Sequence, residues 1–151
     1  MLKPDFYVYE RRLPHWRLHG ATYFVTWRRA EGQPDLTPEE RTHVVAALRH
    51  FDGERYTLTA FVVMNDHTHA LVAPEPNFRL QDLVHSWKSF TAHTLRRGGR
   101  QAPVWQDEYF HRIVRNETEL AEKARYILNN PWRRWPDLKE YPWVWSQGLD
   151  A

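Results

Sequence analysis

The chain has 151 residues, 42% of them hydrophobic and 15% aromatic, which argues for one globular domain with a single sizeable core. It has no cysteine, so a disulfide framework and a thiolate zinc site are excluded. No apolar run approaches the ~20 residues that span a bilayer, and the opening MLKPDFYVYERRLPHW lacks the apolar centre of a signal peptide, so a cytoplasmic location is expected. Net charge is only +2, yet 17 Arg stand against 4 Lys beside abundant Trp, Tyr and Phe. That composition suits bidentate phosphate contacts and base stacking, and equally a solvated basic face.

Residues 1–20 read as a basic arm, with Arg11, Arg12, Arg17, His15 and His19 around Trp16. Ala21 to Arg28 (ATYFVTWR) reads as a strand, with Tyr23, Val25 and Trp27 on one face and Thr22, Phe24 and Thr26 on the other. Thr37-Pro38-Glu39-Glu40 is a capping box with proline at the first helical position. Val44, Val45, Leu48 and Phe51 follow at helical spacing, and Asp52-Gly53 ends the run. Arg55 to Met64 and His67 to Ala73 read as two strands joined through Asn65-Asp66 as a hairpin.

Pro74 and Pro76 break the chain before a second helix from about Arg79 to Arg97. Its apolar stripe is Leu80, Leu83, Val84, Trp87, Phe90, Thr91 and Leu95, and Lys88, Arg96, Arg97 and Arg100 give it a basic edge. Val104 to Val114 reads as a fourth strand. Asn116, with Glu119 at the capping-box position, starts a third helix expected to run to about Asn129, where Pro131 stops it. The tail from Pro131 to Ala151 holds four of the eight tryptophans and is expected to pack back on the domain. The order β-α-β-β-α-β predicts an α+β fold, a ferredoxin-like (RRM-like) antiparallel sheet with two helices on one face. The additional C-terminal helix is free to cover the other face.

Side chains alternate along a strand, so His67 and His69 share a face and Thr68 takes the other. Neutral imidazole is the commonest metal ligand, but a lone H-x-H is unspecific. On the third helix Leu120, Ala124, Ile127 and Leu128 define the buried stripe, while Tyr126 lies off it with Asn130 four residues on. Spacing alone leaves two readings. Tyr126 is a surface tyrosine beside a helix-ending asparagine, or the pair faces the histidines as nucleophile and oxygen ligand.

Taken together, MNDHTHALV, the basic helix with Lys88, VWQDEYFHRIVRNETEL and YILNNP resemble the single-tyrosine HUH transposases, and most closely the REP-associated tyrosine transposase branch. The resemblance runs from about Leu13 to Trp145. It implies that His67 and His69 are the metal-binding pair, Asn130 a further metal ligand and Tyr126 the nucleophile, on the added C-terminal helix. Family members often carry proline two residues before the first histidine, where this chain has Asn65.

The implied activity is that of a metal-dependent single-stranded DNA endonuclease and strand transferase acting on hairpin-associated DNA through a 5′-phosphotyrosine intermediate, with Mg²⁺ or Mn²⁺ as cofactor. The expected partner is single-stranded or hairpin DNA, held in part by Arg11, Arg12, Arg17, Lys88, Arg96, Arg97 and Arg100. The Y-I-x-x-N-P ending favours a monomer over a homodimer. The alternative is a non-catalytic nucleic-acid-binding domain of RRM-like fold, although the K/R-G-F/Y-G/A-F-V-x-F/Y strand signature is absent. A hydrolase with three alternating histidines is disfavoured by Leu71 at the third place. Two-histidine phosphoesterases are disfavoured too, because no His is followed at i+2 by Ser or Thr.

Overall fold

Runs of β-branched and aromatic residues, buried almost throughout in the central strands, set the sheet in the computed structural model, which describes residues 20–148. Its strands are β1 (Thr22–Arg28), β2 (Tyr56–Val63), β3 (His67–Pro74), β4 (Phe110–Val114) and β5 (Val144–Ser146). All pair antiparallel, in the order β4-β1-β3-β2-β5. The helices are α1 (Pro38–His50), α2 (Leu80–Arg97) and α3 (Glu117–Arg134). Arg11, Arg12 and Arg17, with the rest of the predicted arm, lie outside the described residues. No helix among those residues is long and apolar enough to cross a membrane.

Because side chains alternate, the sheet has two apolar faces and needs a layer on each. Val25, Trp27, Leu58, Phe61, Val63, Ala70 and Val72 pack under α1 and α2, meeting Val44, Leu48, Leu83, Val84 and Trp87. Phe24, Ala60, Val62, Leu71 and Val114 form the opposite face, covered by Leu120, Ala124, Ile127 and Leu128 of α3. Leu120 and Ile127 are wholly buried, and each such side chain contributes about 1.5–3 kcal/mol through its removal from water.

Two of the three helix starts follow side-chain caps. Thr37 and Glu40 form the reciprocal box predicted for α1. At α3, Asn116 accepts the Glu119 N–H at 2.8 Å, but the Glu119 carboxylate reaches one residue further back, accepting from the Arg115 N–H at 3.0 Å and from Arg112 at 2.8 Å. It thereby ties α3 to β4.

Three elements differ from the sequence expectation. The fourth strand begins at Phe110, not Val104, because Lys88 draws the carbonyls of Gln106 and Asp107 to itself (2.7 and 2.8 Å); Trp105 makes only an isolated bridge to Arg29. Helix α3 does not stop before Pro131 but continues through it to Arg134. Proline costs the helix one hydrogen bond, and the turn beyond is anchored by Trp132 and Trp135, which pack on the second core. The tail, finally, does more than pack back. It adds β5 to the edge of β2, with Tyr141 donating to the Val63 carbonyl at 2.6 Å and Trp145 stacked on Phe61.

Candidate functional site

β3 lies between β1 and β2, and its register sets His69 opposite Thr26 and Val62, and His67 opposite Arg28. Both imidazoles emerge on the α3 side of the sheet, with ring centroids 4.6 Å apart and planes crossed at 70°. The hairpin turn that delivers them is anchored by Asn65. Asn65 is buried; its side-chain amide donates to Asp35 Oδ2 at 3.0 Å, and its backbone carbonyl accepts the Leu36 N–H at 2.7 Å. An amide thus fixes the β1–α1 loop against the turn, which proline could not do from its side chain.

Each imidazole has one nitrogen occupied. His67 Nδ1 is 2.6 Å from Asp66 Oδ1; a carboxylate only accepts, so Nδ1 carries the proton and Nε2 presents a lone pair. His69 Nδ1 is 2.7 Å from Thr26 Oγ1, and its Nε2 is buried with no hydrogen-bond partner. Burial, then coupling to the neighbouring His67 ring and the positive charges of Arg28, Arg133 and Lys123, pushes the His69 pKa down to about 2. For His67, burial outweighs the pull of Asp66 and again lowers the value. Both rings are therefore neutral, the protonation state that binds metal.

Tyr126 meets this pair from α3. Its ring stands edge-on to His69 at 5.4 Å and to Phe24 at 6.1 Å, while Phe24 stacks on His69 at 5.2 Å. The phenol side chain is 40% exposed. Asn130, one turn further, is buried. No group of three His, Asp or Glu side chains among the described residues is arranged to hold a metal ion, Asp66 being turned to His67 Nδ1. A cation held here would thus take the two imidazoles and an oxygen of another kind, such as the Asn130 amide. The orphaned Nε2 of His69 beside a second neutral imidazole fits such a group.

The basic residues fall into two sets. Arg100 is spent internally: its five N–H groups meet both Glu40 oxygens, Gln33 Oε1 and the carbonyls of Pro34 and Asp35. Lys88 holds the loop before β4. Arg96 and Arg97, at the end of α2, are exposed. Three cations absent from the sequence expectation stand around the site: Arg28, Lys123 and Arg133. Lys123 lies over Phe24 at 5.2 Å and Arg133 over Tyr126 at 4.3 Å. Arg28 could have been found from its place two residues beyond Thr26 on the site face of β1. Arg133 could not, because it shares a face with Tyr126 only if the helix runs past Pro131. Phe110, exposed and edge-on to Phe24 at 6.4 Å, was also missed as part of this face.

A family model described as "Transposase IS200 like" matches residues 19–130. No curated protein matches the sequence significantly. Among solved structures, the fold is similar to that of a REP-associated tyrosine transposase bound to a REP hairpin, with TM-score 0.66 and 19% identity over 83% of this chain and 76% of that one. It is also similar to a candidate transposase from Deinococcus radiodurans R1, with TM-score 0.54 and 23% identity over 72% of this chain and 88% of that one. At these identities the likeness is one of fold.

Proposed function

The chain belongs to the family of IS200-like transposases, and on that footing we propose that it is a metal-dependent single-stranded DNA endonuclease and strand transferase acting on hairpin-associated DNA. The observation that carries this reading is the meeting of two neutral imidazoles with an accessible phenol on one sheet face. The fold neighbour bound to a REP hairpin supports hairpin DNA as partner. The strand order, with α1 and α2 on one face and α3 on the other, supports a ferredoxin-like core to which α3 adds the nucleophile.

His67, His69 and Asn130 would hold Mg²⁺ or Mn²⁺. When bound, that ion supplies Lewis-acid polarisation of a phosphate oxygen. Asp66 and Thr26 keep the imidazole Nε2 lone pairs directed to the site by occupying the Nδ1 positions. Tyr126 Oη attacks phosphorus; the new O–P bond forms as the P–O3′ bond breaks. The phenol loses its proton and the departing 3′ oxygen gains one, leaving a 5′-phosphotyrosine link and a free 3′-hydroxyl. The adduct retains a phosphodiester, so a second DNA 3′-hydroxyl can attack it and rejoin strands. Neither step needs a nucleotide cofactor.

The experiment is incubation of end-labelled hairpin DNA bearing single-stranded flanks with wild type and Tyr126→Phe in Mn²⁺. A denaturation-resistant protein–DNA adduct in wild type alone supports the reading. An adduct that persists in the Phe variant removes Tyr126 from the role. No adduct on hairpins from the gene's own flanks favours the non-catalytic binder.

A further inference from the structure

Most basic side chains near the site end of the sheet are matched by acceptors of the protein itself. Arg29 pairs with Asp35, Arg112 with Glu119 and Arg100 with Glu40. Arg28, Lys123 and Arg133 are different. Among the described residues none of the three makes a hydrogen bond or carboxylate pair, and all three border the site. Arg28 is the cross-strand partner of His67. Lys123, Tyr126, Asn130 and Arg133 follow one another at three-, four- and three-residue intervals, which aligns them on a single stripe of α3. Arg133 covers the Tyr126 ring and Lys123 the Phe24 ring, so each cation borders an aromatic group in contact with His69.

Like charges gathered this way repel one another, and the carboxylate of Asp66 is already bound to His67. An arrangement that is unfavourable in the free protein becomes favourable when an anion enters it. The guanidinium carbon of Arg133 lies over the phenol ring, 4.3 Å from its centroid, and its N–H groups, unused by any acceptor among the described residues, suit a tetrahedral oxyanion.

We propose that Arg28, Lys123 and Arg133 form a clamp for successive phosphates of a single DNA strand. In it Arg133 both orients the Tyr126 ring by lying over it and binds the non-bridging oxygens of the attacked phosphodiester through its N–H groups. The clamp rests on the reading of Tyr126 as nucleophile for the second of those roles, and on the geometry of the three cations for the first. Arg133 does this from beyond Pro131, so the continuation of α3 through the proline is what brings a cation to the phenol.

The test uses the full chain and end-labelled hairpin DNA with single-stranded flanks. Binding is followed by anisotropy against salt without metal, and adduct formation under single turnover in Mn²⁺. Arg28→Ala, Lys123→Ala and Arg133→Ala should each lower the slope of log K against log salt by about one. Arg133→Ala should also slow adduct formation by about 100-fold or more, the usual cost of one lost oxyanion donor. Guanidinium ion added to that variant should restore part of the rate, and Arg133→Lys should stay well below wild type because it lacks the fork. Arg133→Gln, which keeps most of the side-chain volume, replaces the alanine variant if the latter unfolds. Wild-type slope and rate in the Arg133 variants would overturn the clamp. If wild type forms no adduct, the nucleophile reading fails by itself; the clamp is then decided by the slopes, and unchanged slopes in all three variants overturn it.

Discussion

Thr26 Oγ1 lies 2.7 Å from Nδ1 of His69, the residue directly opposite it on the adjacent strand. The hydroxyl can accept Nδ1–H, and in that tautomer Nε2 carries the lone pair. That nitrogen is buried without a partner, so the strand register itself sets which ring atom serves the site.

Thr26→Val keeps the shape of the side chain and removes this partner. A buried polar group left unmatched costs about 1–3 kcal/mol, and loss of a supporting contact to a ligand costs about 10–100-fold in metal affinity. Thermal unfolding should therefore shift down modestly, and Mn²⁺ affinity, followed by electron paramagnetic resonance of the free ion, should fall. Unchanged Mn²⁺ affinity would mean that Thr26 does not orient His69.

The same Mn²⁺ titration separates the ligands. His69→Ala and His67→Ala should each abolish binding at micromolar protein, because no third His, Asp or Glu among the described residues is placed with them to hold a metal ion. Asn130→Ala should weaken binding without abolishing it, since an amide oxygen is a neutral ligand that water can replace. Tight binding retained by the His67→Ala, His69→Ala double variant would move the metal elsewhere.

Arg100 gives a stability prediction with a pH signature. Burial raises the pKa of Glu40, but the hydrogen bonds from Arg100 and Thr37 prevail and leave it below its ordinary value. A carboxylate whose folded pKa is depressed adds stability that is full above the unfolded value, near 4.5, and is lost as pH falls through the folded value. Removing Arg100 strands Glu40 and several loop carbonyls, so Arg100→Met should cost about 3 kcal/mol at pH 7. The gap from wild type should narrow at pH 3 in urea unfolding. A gap equally large at both pH values would assign the loss to packing.

Much of this architecture was legible because period and capping are local. The alternation of Thr22, Phe24 and Thr26, the Thr37–Glu40 box and the i, i+2 histidines each declare their geometry within a few residues. The missed parts depend on distant partners. β5 is three residues long and becomes a strand only against β2. Helix α3 survives Pro131 because Trp132 and Trp135 find the Leu138–Trp143 segment. Arg100 reads as a free basic residue until the loop from Gln33 to Asp35 is folded over it. Arg28, Lys123 and Arg133 come from two elements far apart in sequence, and no local pattern announces that they converge.

DNA binding should divide along the same lines. Arg96 and Arg97 are exposed, so Arg96→Ala with Arg97→Ala should reduce the salt slope by up to about two and leave the unfolding midpoint unchanged. Arg100→Met should show the reverse pattern, a lower midpoint with little change in slope. Equal affinity for blunt duplex and hairpin in wild type would contradict a single-stranded or hairpin partner.

The central claim is that the phenol of Tyr126, beside His67 and His69, becomes covalently joined to DNA. The most direct measurement is mass spectrometry of proteolysed wild-type adduct, formed in Mn²⁺ on hairpin DNA with single-stranded flanks and trimmed by nuclease. The predicted result is one modified peptide, containing Tyr126 and carrying a 5′-linked nucleotide, with none recovered from Tyr126→Phe. A nucleotide on any of the other six tyrosines, or the same adduct yield from the Phe variant, would contradict it.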